Sequence, residues 1–127
     1  MYPVELSYSK DHEWFKAEGN VITIGISFHA QDAMGDVVFV ELPEVGDEFD
    51  ADESFANIES VKAVSDCFCP VTGKVTEINE ELLDSPELIN SDPYGKGWMI
   101  KLEVEDVSSL EGFLSAEEYE AFVKEEE

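Results

Sequence analysis

The sequence contains no arginine. Its seven basic residues are all lysines and stand against 31 Asp and Glu, a formal net charge of −24. A surface this negative repels phosphate backbones and anionic headgroups, and the side chain best shaped to grip a phosphate is missing. Neither nucleic acid nor an acidic membrane is expected as a partner. Basic docking surfaces are expected instead, with salt-sensitive association. No apolar run approaches the ~20 residues of a membrane span. The start, Met1-Tyr2-Pro3-Val4-Glu5, has neither a basic n-region nor an apolar h-region, so nothing marks export. Cysteine is scarce too. Cys67 and Cys69 stand two apart, and on one strand face their Cα atoms would be ~6.5–7 Å apart, at or beyond disulfide reach. A reducing, cytoplasmic setting is the simpler reading, with a mature organellar form as the alternative.

Enzyme machinery is equally thin. There is no Walker loop, no Gly-x-Gly-x-x-Gly and no Gly-x-Ser-x-Gly. His12 and His29 lie apart in the chain, with no metal-ligand spacing to each other or to the cysteines. The acidic clump Asp47, Glu48, Asp50, Asp52 and Glu53 reads as a loop and edge-strand surface, without the pattern of a calcium loop.

What is present is globular. Hydrophobic residues make up 43% and aromatics 11%, more than a disordered acidic chain carries. Residues 1–127 read as one domain. The pattern is mostly period two, with strands expected over Val21–Ile26, Val37–Leu42, Phe55–Ser60, Ala63–Cys69, Lys74–Ile78 and Trp98–Val104. Glu18-Gly19-Asn20, Pro43-Glu44-Val45-Gly46, Pro70-Val71-Thr72-Gly73 and Asp92-Pro93-Tyr94-Gly95 punctuate them. Many short strands with regular turns imply a mainly β sandwich or barrel. Ser115-Ala116-Glu117-Glu118 is a capping box opening a C-terminal helix over about 115–125, with Tyr119, Phe122 and Val123 as its apolar stripe. Shorter helical turns are expected at His29–Met34 and Asn79–Leu83, and Glu125-Glu126-Glu127 as a solvated end.

Lys62 stands out by context. Strand-like segments flank it on both sides, so it falls at a hairpin tip. A lysine there is exposed, not desolvated, which argues against a Schiff-base or general-base role. The tip suits a modifying enzyme that reaches the amine from outside; an ordinary surface lysine is the alternative.

The chain resembles the H proteins of the glycine cleavage system. The resemblance runs through Lys10-Asp11-His12-Glu13-Trp14, Gly25-Ile26, Ala30-Gln31 and Gly35 to Pro43. Its core is Glu59-Ser60-Val61-Lys62-Ala63-Val64-Ser65-Asp66, followed by Pro70 to Gly73, Pro86 to Asn90, Asp92 to Gly95 and Gly97 to Lys101. Several motifs in order make it specific. It implies a lipoyl/biotinyl-type flattened barrel-sandwich of two small sheets, with short helices and a C-terminal helix. It implies lipoic acid in amide linkage to Lys62; biotin carriers typically place the lysine between two methionines, whereas the neighbours here are Val61 and Ala63. The implied activity is that of a monomeric carrier with no catalytic step of its own. It would take the aminomethyl group of glycine from glycine decarboxylase to the aminomethyltransferase, and electrons to dihydrolipoamide dehydrogenase. A lipoate ligase or lipoyltransferase would load it. An H-like lipoyl donor for 2-oxoacid dehydrogenase complexes is the alternative, and a stand-alone acidic hydrolase the remote one.

The resemblance also implies a cleft for the loaded arm, in which Glu13 and Asp66 match acidic positions. A carboxylate there would hold a cationic nitrogen. Their structural alternatives are a surface strand residue for Glu13 and an edge or turn residue for Asp66. Trp14 and Trp98, in strand-like runs, are expected in the core. Phe28 replaces a polar residue common in the family, which would expose it or reshape the cleft and weakens a role for His29. Cys67 and Cys69 are expected as packed thiols; disulfide exchange with the dithiolane would need an exposed thiolate.

Overall fold

The computed structural model describes residues 2–105 and 112–126. Its elements are β1 (Ser7–Tyr8), β2 (Glu13–Glu18), β3 (Val21–Ile26), α1 (Phe28–Met34), β4 (Val37–Glu41), β5 (Glu48–Phe49), β6 (Ser54–Ser60), β7 (Val64–Phe68), β8 (Gly73–Ile78), α2 (Glu81–Asp84), α3 (Leu88–Ser91), β9 (Ile100–Glu103) and α4 (Ala116–Glu126). Two antiparallel sheets form, one of six strands in the order β1-β2-β3-β9-β8-β5 and one of three in the order β4-β6-β7. The acidic clump lies where expected, around β5 at one edge of the larger sheet.

Alternation sets the core. Ile22 faces Leu102 and Ile24 faces Ile100 across β3 and β9, and all four are buried. Thr23 and Lys101, paired on the opposite face, are only half-buried. Each such aliphatic side chain withdrawn from water stabilises the fold by roughly 1.5–3 kcal/mol. Ile58 of β6 closes the same core from the smaller sheet. Gly25, opposite Trp14, is required by close approach, since a Cβ there would sit 2.6 Å from the Trp14 ring. Trp14 is buried and donates its indole N–H to the Pro93 carbonyl at 2.9 Å.

A second cluster joins β1 and Trp14 to α4, with Tyr8 and Tyr119 stacked at 4.7 Å and 8°. The capping box forms: Ser115 Oγ accepts from the Glu118 N–H at 3.2 Å, and a Glu118 carboxylate oxygen accepts from the Ser115 N–H at 2.9 Å. These bonds hold the Glu118 carboxyl below its ordinary range. The helix runs through Glu126; Glu127, part of the expected solvated end, lies outside the described residues.

Some expectations shift. Trp98 and Val104 fall outside β9, Cys69 outside β7 and Leu42 outside β4. Trp98 is half-buried rather than core, with the Lys101 ammonium 5.4 Å from its ring centre. The expected strands did not include β1, β2 was anticipated only as a strand-like run around Glu13 and Trp14 without bounds, and the helical turns did not include α3.

Candidate functional site

Lys62 sits at the tip of the β6–β7 hairpin and is exposed. The tip backbone is held tightly. The Ser60 N–H donates to Ala63 O at 2.8 Å, and Ser60 Oγ accepts from the Lys62 and Ala63 N–H groups at 3.3 and 3.1 Å. The Val61 N–H donates to Asp36 O at 3.0 Å, tying the tip to the segment between α1 and β4. Lys62 forms no ion pair among the described residues. Its stem passes Gly35, whose Cβ position would lie 3.4 Å from Lys62 Cε. Gly35 ends α1 at φ 79° and ψ −158°, a conformation open essentially to glycine alone.

A cleft of about 220 Å³ opens beside α1. His29, Ala30, Ala33 and Met34 of α1 form one wall, and Asp11, His12 and Glu13 the other; Ile58, Ser65, Asp66 and Cys67 complete it. Glu13 and Asp66, linked in the sequence only by resemblance, thus meet in one cavity. Asp66 is exposed on β7, an edge strand, as its structural alternative had it.

Glu13 departs from the surface-strand alternative: it is 2% exposed. The turn before β2 explains this. His12 adopts φ 67°, and Ser9 gathers the turn by accepting from the Asp11 and Glu13 N–H groups at 3.2 and 3.3 Å. The chain therefore enters β2 with Glu13 and Phe15 on the inner face, while Trp14 packs into the second cluster. With both faces of its first half covered, β2 loses the in–out alternation of a surface strand. One Glu13 oxygen accepts from the Phe68 N–H at 2.6 Å. Among the described residues no cation pairs with it. Burial pushes its acid up to about 8, against the pull of the Phe68 bond, with Asp11 adding repulsion. A dry carboxyl poised this way takes either a proton or an arriving cation.

His12 and His29, far apart in sequence, stand with ring centres 4.8 Å apart at the cleft. Spacing could not have revealed this, because the two belong to different elements. His29 lines the cleft even though Phe28 is not among the lining residues. Phe28 is half-buried, and its N–H donates to the Tyr94 hydroxyl at 2.8 Å. Cys67 and Cys69 are free and buried. Burial and the nearby Glu13 push both thiols up, Cys69 to about 12. They are packed thiols, not ready nucleophiles. No group of three or more potential metal ligands occurs among the described residues. A broader depression of about 980 Å³ beside β5 is lined by Glu48, Asp50, Glu53, Glu103 and Glu105, and none of its polar side chains is buried.

Comparison with known proteins gives one consistent result. The family model for the glycine cleavage H-protein matches residues 6–126. The glycine cleavage system H protein of Carboxydothermus hydrogenoformans is 55% identical over 124 residues, 98% of this chain and 95% of that protein. That of Symbiobacterium thermophilum is 56% identical over 123 residues, covering 97% and 96%. The crystal structure of a glycine cleavage system H protein from Mycobacterium marinum superposes with a TM-score of 0.87 at 39% identity, over 96% of this chain and 98% of that one. The matches take in the lysine hairpin, both walls of the cleft and the C-terminal helix alike, and the chain belongs to the glycine cleavage H-protein family, the lipoyl carriers of the glycine cleavage system.

Proposed function

We propose that Lys62 carries the lipoyl group in amide linkage, and that the cleft beside α1 receives the loaded arm. The observation that carries this reading is an exposed lysine, unpaired among the described residues, on a tightly bonded hairpin tip whose stem passes the end of α1, next to a cleft that buries the Glu13 carboxyl. The residues fit the group: the amine is reachable from outside, and the cleft has an apolar lining in Ile58, Ala33 and Met34. Bound lipoate supplies a dithiolane, which can be reduced, hold a one-carbon cargo and be reoxidised. The chain's residues position and shelter it. Glu13 binds the cationic nitrogen of the cargo, giving up its proton as the cation arrives. Asp66 adds negative potential from the rim. A partly shielded charge-assisted hydrogen bond contributes roughly 1.5–3 kcal/mol, a tenfold to hundredfold shift toward the docked arm. The apolar lining excludes water that would release the cargo.

The partners are glycine decarboxylase, the aminomethyltransferase, dihydrolipoamide dehydrogenase and the lipoate-attaching enzyme, met one at a time in the cytoplasm. The surface around Lys62 supports this. A bulge in β4 leaves both Val38 and Phe39 exposed. Phe39 lies in register with Glu59 and Val64, and Val61 and Val64 flank the lysine, 70% and 66% exposed. The chain alone makes and breaks no bond of the cycle.

The test is reconstitution with the purified partners. Wild type should support glycine-dependent release of carbon dioxide, and Lys62→Arg should not, while melting as cooperatively. Turnover by the arginine variant would overturn the assignment. Glu13→Gln and Asp66→Asn should lipoylate normally but lose cargo faster from the purified loaded form. Unchanged loss in both, and in the double variant, would remove these carboxyls from the mechanism.

A further inference from the structure

We propose that Tyr119, on the C-terminal helix, is a positioning residue for the arm cleft: its hydroxyl clips one wall to the other and holds His12 in the orientation that shapes the mouth. The inference rests on the cleft being the seat of the loaded arm. Tyr119 lies 107 residues from His12 and 92 from Ser27, yet its hydroxyl meets His12 Nδ1 at 2.7 Å and Ser27 Oγ at 2.7 Å. His12 lines the cleft, and Ser27, buried behind the lining, anchors the start of the α1 wall. His12 is in the turn that delivers Glu13, and Ser27 is the N-cap of α1, accepting from the Ala30 N–H at 3.2 Å. A backbone bond runs alongside, from the Ser27 N–H to His12 O at 2.9 Å.

The hydroxyl does something the ring does not. The ring is fully buried and stacked on Tyr8, and a phenylalanine would fill the same volume. What phenylalanine lacks is the link between the walls. The His12 backbone, left-handed at φ 67°, is held by its N–H on Ser9 O at 3.1 Å and by the Ser27 N–H on its carbonyl, and the Tyr119 hydroxyl adds the hold on the ring. Two polarities satisfy the chain of bonds. Either Ser27 donates to Tyr119 and Tyr119 donates to Nδ1, or His12 donates from Nδ1 and Tyr119 donates to Ser27. In both, the imidazole is fixed against His29, 4.8 Å away across the mouth.

The experiment compares Tyr119→Phe with Tyr8→Phe. The Tyr8 hydroxyl donates to Pro3 O at 2.8 Å and bonds neither wall, so its loss controls for general loosening of the same stacked pair. Both variants should lipoylate fully. Loss of cargo from the purified loaded form should rise about three- to tenfold in Tyr119→Phe and stay at the wild-type rate in Tyr8→Phe. Adding Tyr119→Phe to His12→Ala should produce no further rise, since the hydroxyl acts through the imidazole. In the unlipoylated chain, the His12 ring nitrogen resonances should move toward tautomer averaging in Tyr119→Phe alone. Wild-type loss in Tyr119→Phe, equal acceleration in Tyr8→Phe, or an unmoved His12 ring would overturn the inference. If Glu13→Gln and Asp66→Asn still accelerate loss when Tyr119→Phe does not, only the clip fails. If all three are silent, the docked-arm reading falls with it.

Discussion

Glu13 enters β2 facing inward, with the Phe68 N–H on one oxygen and, among the described residues, no cation on the other. Its acid lies at about 8 against an ordinary 4.5, so between those values the folded chain holds a proton that the unfolded chain has released. Stability therefore falls as pH rises from about 4.5 to about 8, and the loss is complete above that. Glutamine keeps an acceptor for Phe68 and never ionises. Glu13→Gln and wild type should unfold in urea with equal stability near pH 4.5. By pH 9 the variant should be more stable, by on the order of a few kcal/mol at 1.36 kcal/mol per unit. Parallel pH profiles would mean that the carboxyl is solvated in the folded chain. The sequence pointed to Glu13 and Asp66 through resemblance and could not tell the buried from the exposed one. Burial of Glu13 follows from a left-handed His12 and a turn gathered by Ser9, neither of which leaves a periodic trace. The histidine pair was illegible for a similar reason, since it forms where a turn meets a helix.

The elements around the cleft hold together by tertiary bonds as much as by local preference. Asn90 shows how. Its side-chain amide donates to Gln31 Oε1 at 3.0 Å and Gly35 O at 2.9 Å, and its carbonyl accepts from the Val37 N–H at 2.8 Å. One residue of α3 thus fixes the end of α1 and the start of β4. Helix α3 was missed because four residues with no capping side chain carry no helical period, and buried Ile89 and these bonds make the turn. Strands with clean alternation, such as Val21–Ile26 and Gly73–Ile78, were legible to within a residue. Helix α4 was legible from its capping box. Gly35 tests the α1 wall. Gly35→Ala must place a Cβ at φ 79°, and should destabilise the chain by about 1–3 kcal/mol in urea melts. A loss within error would show that the end of α1 relaxes freely.

The whole molecule carries a net charge of −24 without an arginine. At that scale the sequence was fully legible, because charge needs no fold to be counted. Salt should therefore weaken docking, as the Debye length falls from ~10 Å at 0.1 M to ~3 Å at 1 M. The apparent Michaelis constant of the decarboxylase for this carrier should rise several-fold over that range. A flat profile would assign docking to Val38, Phe39, Val61 and Val64 and leave the acidity to solubility. The broad architecture, mainly β with a C-terminal helix, was likewise readable in advance; the unequal division into six and three strands was not, because sheet membership depends on pairing between distant segments. Everything in the functional account hangs on one covalent bond at the hairpin tip. The most direct measurement is the intact mass, with fragment mapping, of the chain produced with lipoate and the attaching enzyme, wild type beside Lys62→Arg. The expected result is one lipoyl increment on wild type, mapped to Lys62, and none on the variant. An increment that persists on the variant, or maps to any other lysine, would contradict the account.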